Sequence, residues 1–278
     1  NLRLLEPADY EVTIHTYKGQ YPIATGALND VTEKDDMVTT SFSAKRVRGF
    51  GIFIGAQMEG EVFNTQEGYS VVLYKEPESE VGKETIPMIR KSLSNYCDIL
   101  GGYPYDQFTI IHKDGIGEGV AYPTLIVGDF GEGQQVYDEI NKLVGKQWLY
   151  YIIGSSKGTS WLNEGLLVYL NKRLSFSQGQ MESYIEEQKN SSHTCNELAT
   201  QMFYEIEGRI GREAFENVLR AYYKDYSFQI PTGKEFIQLI KETTEIDVRY
   251  IYNHWLDKIG RGESEENESS CTSSRERR

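Results

Sequence analysis

Lys142-Leu143-Val144-Gly145-Lys146-Gln147-Trp148, followed by Trp161-Leu162-Asn163-Glu164-Gly165, is the stretch on which the reading of this chain turns. The first run lies inside a helical pattern over Gln134–Tyr151, the second at the head of another over Ser160–Leu174. Four residues carry a helix about 40° past one full turn, so Lys142 and Lys146 share a face. Taken alone, two lysines at that spacing are a solvated face. Their neighbours make a larger pattern that has to be read with the rest of the chain.

Upstream, residues 1–74 read as strands. Tyr10-Glu11-Val12-Thr13-Ile14-His15 and Met37-Val38-Thr39-Thr40-Ser41-Phe42 alternate with period two, and Gly, Asn and Asp punctuate them, which is an antiparallel β pattern. The character changes near Pro77. From Glu78 to Leu100 the apolar residues Ile86, Ile89, Leu93, Tyr96 and Leu100 step by three and four, and Gly101-Gly102 ends the helix. Phe108-Thr109-Ile110-Ile111 and Thr124-Leu125-Ile126-Val127 read as strands, with Lys113 to Tyr122 as the loop between them. Helical patterns then run to Ile259, including Cys195–Glu207, Arg212–Lys224 and Thr232–Thr243. The segment 260–278 is rich in Glu, Ser and Arg and reads as a disordered tail. The fold class is therefore α+β, with an antiparallel β domain over 1–74 and a mainly helical domain over 75–259.

Composition narrows the function classes. The chain has 42 acidic and 29 basic residues, a formal charge of −13, which opposes binding to nucleic acid phosphates or anionic lipid. No run approaches the 18 or so apolar residues of a membrane span, and no basic-then-apolar leader opens the sequence. The chain begins inside a strand region, so a fragment or processed form is expected. Cys97, Cys195 and Cys271 allow one disulfide and make neither a framework nor a cysteine zinc site. Twenty tyrosines fit an aromatic-packed, extracytoplasmic protein. A nucleophile elbow of the G-x-S-x-G type and a Walker-type phosphate loop are both missing.

Several further pieces join the opening stretch. They are Tyr10-Glu11-Val12-Thr13-Ile14 with Ala24-Thr25-Gly26, Ala44-Lys45-Arg46-Val47-Arg48-Gly49-Phe50, Leu100-Gly101-Gly102-Tyr103-Pro104-Tyr105, Gly119-Val120-Ala121-Tyr122-Pro123 and Asn253-His254-Trp255-Leu256. In order and spacing they resemble the gluzincin aminopeptidases, the family of aminopeptidase N, over nearly the whole chain. That family carries H-E-x-x-H-Q-W followed by W-L-N-E-G. The resemblance implies a partial N-terminal β domain followed by a thermolysin-like domain, with a zinc ion in a cleft.

The residues at the key positions contradict the family's chemistry. Zinc takes two neutral imidazoles at i and i+4 and a carboxylate, and a glutamate beside the first histidine deprotonates the bound water. Here Lys142 and Lys146 hold the histidine positions, Leu143 the general-base position, and Glu164 alone keeps the carboxylate. A protonated amine is a poor zinc ligand. Seventeen residues, 147–163, separate Lys146 from Glu164, one fewer than the family pattern. The glutamate that the family uses to grip a free amine is replaced by Ala121. Glu118, three residues earlier, would face the other side of a strand. His193 stands where the family has its transition-state tyrosine. His15, His112, His193 and His254 make no local pair.

The expectation is thus a catalytically inactive relative with no zinc, acting as a peptide- or protein-binding or structural module. Tyr122, Gln147, Trp148 and Trp161 are its candidate cleft residues. A lysine ammonium is expected to stand where the metal was, within salt-bridge reach of Glu164. The alternatives are a zinc peptidase with a rearranged site and a structural extracytoplasmic domain of a larger membrane-anchored protein. Partners are a peptide or protein in the cleft and no nucleic acid. An extracytoplasmic or membrane-attached location is preferred over a cytoplasmic one.

Overall fold

The computed structural model describes residues 5–65, 67–131, 133–156, 160–188 and 194–265. It divides into two compact units, residues 1–98 with 102–152, and residues 99–101 with 153–278.

The first unit holds all the strands. β1 (Ala8–Tyr17), β4 (Met37–Val47) and β3 (Ala27–Lys34) form an antiparallel sheet in that order. Val12 lies opposite Phe42 and Ile14 opposite Thr40. The period-two pattern puts Val38, Thr40, Phe42 and Ala44 on one buried face of β4. β2 (Gln20–Ala24) pairs with β5 (Ile52–Ala56). Ile23 of this strand pair joins Met58, Ile111, Leu125 and Val127 in one apolar cluster, with Phe53, Tyr74 and Tyr122 packed against it. Each such side chain contributes roughly 1.5–3 kcal/mol on full burial.

A five-stranded sheet follows, in the order β6 (Glu59–Asn64), β7 (Ser70–Lys75), β8 (Gln107–His112), β10 (Leu125–Gly128), β9 (Val120–Tyr122). β7, β8 and β10 are parallel, and the outer strands β6 and β9 are antiparallel to their neighbours. β10 is buried at all four positions and β8 at five of six, the near-continuous apolar run of a strand covered on both faces. Helix α1 (Thr85–Ile99) makes the crossover from β7 to β8 and buries Ile89, Leu93 and Tyr96.

Parallel pairing ties β7, and β6 through it, to β8, so hydrogen bonding continues past residue 74. Two expectations change here. The segment expected as a loop up to Tyr122 contains β9, whose three residues are too few to show alternation. The helix expected over Gln134–Tyr151 is α2 (Gln134–Lys146), continued by a π-helical turn over Gln147–Ile152.

The second unit is helical: α3 (Ser160–Ser175), α4 (Gln178–Gln188), α5 (Cys195–Ile210), α6 (Arg212–Tyr226), α7 (Gly233–Thr244) and α8 (Arg249–Glu265). Capping boxes start α5 and α7, Thr194 with Glu197 and Thr232 with Glu235, and satisfy main-chain N–H groups that a helix start leaves unpaired. α3 and α5 meet at Gly165, where an added Cβ would stand 2.3 Å from the Ala199 Cβ. Arg173, nearly buried, binds Glu207 at 3.0 Å and Glu216 at 2.7 Å and so joins α3, α5 and α6. α8 continues to Glu265, past the expected start of the tail at Gly260, and residues 266–278 lie outside the described residues. Among the described residues no helix is long and apolar enough to cross a membrane.

Candidate functional site

In the first unit Lys142, Leu143 and Lys146 lie on α2, and the first two meet the loop before β9. The Lys142 Nζ donates to Glu118 Oε1 at 2.9 Å. Glu118 precedes β9 in a bend, so strand parity does not govern its direction; it is an exposed loop acid paired with Lys142. Leu143 is 1% exposed. Its Cδ1 lies 2.7 Å from where a Cβ on Gly119 would be, so glycine at that position lets the loop close over the leucine. The Lys146 Nζ sits 5.8 Å from the Tyr150 ring centroid.

The π-helical turn supports β9 from the side. Buried Gln147 accepts from the Thr124 N–H at 2.9 Å and donates to the Tyr122 carbonyl at 3.0 Å. The Tyr151 hydroxyl donates to the carbonyl of Ala121. Thr124 itself is held by main-chain and side-chain contacts. Its Oγ1 accepts from Gly26 N at 2.7 Å, and Thr25 Oγ1 donates to the Pro123 carbonyl at 2.9 Å. Gly51 passes so close to Tyr122 that a Cβ there would fall 2.6 Å from its ring. Trp148 is fully buried, stacked on Tyr96 at 5.6 Å and tilted against Tyr103 at 5.6 Å. Gln147 and Trp148 are therefore interior groups; Ala121 and Tyr122 are half-buried.

In the second unit Glu164 is 6% exposed and its Oε2 accepts from Asn196 Nδ2 at 2.6 Å. The close approach of α3 and α5 at Gly165 brings these two residues together. Asn163 is a buried anchor. It donates to the carbonyls of Ile153 at 3.2 Å and Gly154 at 3.0 Å, and accepts from the Tyr222 hydroxyl at 3.1 Å. Trp161, also buried, lies 6.3 Å from the Tyr252 ring. His193 lies outside the described residues. Cys97 is a free thiol and Cys195 is disulfide-bonded.

A second group was not visible in the sequence. At the carboxyl ends of β8 and β10, ligand-type atoms of His112, Asp114 and Asp129 lie within 4.8 Å of one another. The Phe130 N–H donates to His112 Nδ1 at 3.0 Å, so the neutral ring carries its proton on Nε2, 3.0 Å from Asp114 Oδ1. Asp114 also accepts from the Ser79 hydroxyl at 2.7 Å, and Asp129 from the Gly115 N–H at 2.9 Å. The Ser79 hydrogen bond holds the Asp114 carboxyl below its usual range; desolvation opposes it, and His112 and Lys113 add to the lowering. A histidine that ligates a metal normally donates its other N–H outward. Here that nitrogen accepts, which favours a hydrogen-bonded turn.

These elements define a class by fold: antiparallel β sheets, then a mixed sheet and a helical unit. No family model and no curated protein matches the sequence. Solved structures do match the fold. The M1 zinc metallopeptidase from Deinococcus radiodurans is similar at TM-score 0.75 and 16% identity, over 90% of this chain and 64% of that one. A two-domain M1 zinc metallopeptidase mutant bound to L-tryptophan is similar at TM-score 0.73 and 15% identity, with the same coverage. The chain thus has the M1 metallopeptidase fold and spans 64% of the length of these proteins.

Proposed function

We propose that this chain is a peptidase-fold protein without peptidase chemistry, and that it acts as a peptide- or protein-binding or structural module. Leu143 carries the reading. It occupies the general-base position, is buried, and has no atom that can take a proton. The other positions that the resemblance pairs with zinc do not fit it either. An ammonium hydrogen-bonded to Glu118 offers no lone pair, and Glu164, already bound by Asn196, is a single carboxylate where zinc needs three protein ligands or more. The disulfide at Cys195 supports an oxidising, extracytoplasmic compartment.

The test is elemental analysis of protein purified without chelator, together with hydrolysis of aminoacyl p-nitroanilides. The expected result is no stoichiometric zinc and turnover equal to buffer. About one zinc per chain with chelator-sensitive turnover would overturn the proposal. The cluster at His112, Asp114 and Asp129, read above as a hydrogen-bonded turn, is the place among the described residues where a rearranged metal site would be sought. Loss of bound zinc on His112→Ala would assign the metal there.

A further inference from the structure

The second unit contains a cavity of about 850 Å³ lined by residues of α4, α5 and α8. That volume is in the range of small-ligand pockets. Its apolar wall includes Ile185, Leu198, Ile251 and Trp255. Trp255 is held in place: its Nε1 donates to Glu205 at 2.7 Å, and the Lys258 ammonium stands 4.1 Å from its ring centroid.

Two features of the lining point to a ligand. Gln201, 5% exposed, lines the cavity, and its Nε2 is buried without a hydrogen-bond partner. A buried amide in that state loses its hydration with nothing in return, which an apolar residue would avoid. The second feature is charge. Arg209 and Lys258 line the same cavity against Glu205 alone, in a chain of net charge −13. Gln201 and Arg209 are eight residues apart on α5, about 12 Å along the helix. A ligand that uses both is elongated, with an amide at one end and an anion at the other. At about 3.3 Å per extended residue, three or four residues of peptide span that length.

We propose that this cavity binds a short apolar peptide by its free carboxy terminus. The terminal carboxylate faces Arg209 and Lys258, apolar side chains pack on Trp255 and Leu198, and a main-chain amide meets Gln201. This site lies wholly in the helical unit and does not depend on the fate of the zinc positions.

Titration calorimetry of the intact chain with acetyl-Ala-Leu-Leu, and with the same peptide as its carboxy-terminal amide, tests the proposal. Saturable binding of the acid is expected at millimolar affinity or better, with the amide about tenfold weaker. Arg209→Glu should erase the difference between the two peptides, and Gln201→Leu should weaken both. Circular dichroism verifies that each variant is folded, and Arg209→Gln serves if the charge reversal is not. No saturable binding up to about 10 mM, equal binding of acid and amide, or binding untouched by both substitutions would each overturn it.

Discussion

At the scale of single residues, the general-base position is the most informative place to intervene. Leu143→Glu would put an unpaired carboxylate into a site that is 1% exposed, and the expected cost is about 3 kcal/mol or more of stability. Chemical denaturation measures it; a change near zero would mean that the position opens to solvent more readily than its packing under Gly119 implies. The triple change Lys142→His, Leu143→Glu and Lys146→His is expected to fail to produce efficient release of amino-terminal residues, since the methyl group of Ala121 cannot supply the amine-gripping carboxylate that the proposed resemblance implies. Efficient turnover would overturn that assignment. The sequence made the identities at these positions plain. It did not disclose their partners. Lys142 meets Glu118, 24 residues away, and Glu164 meets Asn196, 32 residues away, and no local spacing encodes either pair.

At the scale of elements, the helices were legible because periodicity and caps are local. The sheet was less so: β9 is three residues long, and the parallel pairing of β7 with β8 joins segments on either side of α1. The π-helical turn also escaped notice, since it keeps the apolar character of the helix it continues. Gly165→Ala tests the helix contact most directly. With Ala199 only 2.3 Å from the new Cβ, α3 and α5 must separate, at a cost of about 1–3 kcal/mol. A fully retained melting temperature would show that the contact has slack. Thr232→Ala removes the cap of α7 and should cost about 1 kcal/mol. The same box sets a pH dependence. The Thr232 N–H, with its hydroxyl, holds the Glu235 carboxyl below its ordinary value. A depressed folded value means that the stabilisation is present above the unfolded value, about 4.3, and is lost as pH falls through the lower, folded one. Melting curves of wild type and Glu235→Gln should therefore converge in acid; a constant gap would exclude the linkage.

At the scale of the whole molecule, a chain that binds no zinc, as proposed above, should owe none of its stability to it. EDTA is expected to leave the melting temperature unchanged, whereas removal of a tightly bound ion would lower it by several degrees. The strand order has a consequence in time as well as space. During synthesis the amino-terminal strands β1 to β5 can pair as soon as they emerge. β7, however, needs β8, and β8 lacks its second neighbour until Gly128 has left the ribosome. Until then Ile110 and Ile111 lie along an unpaired parallel edge. Nascent chains that stall in this window are natural clients for a holding chaperone, and a gene cut before the codon for Leu125 should yield inclusion bodies.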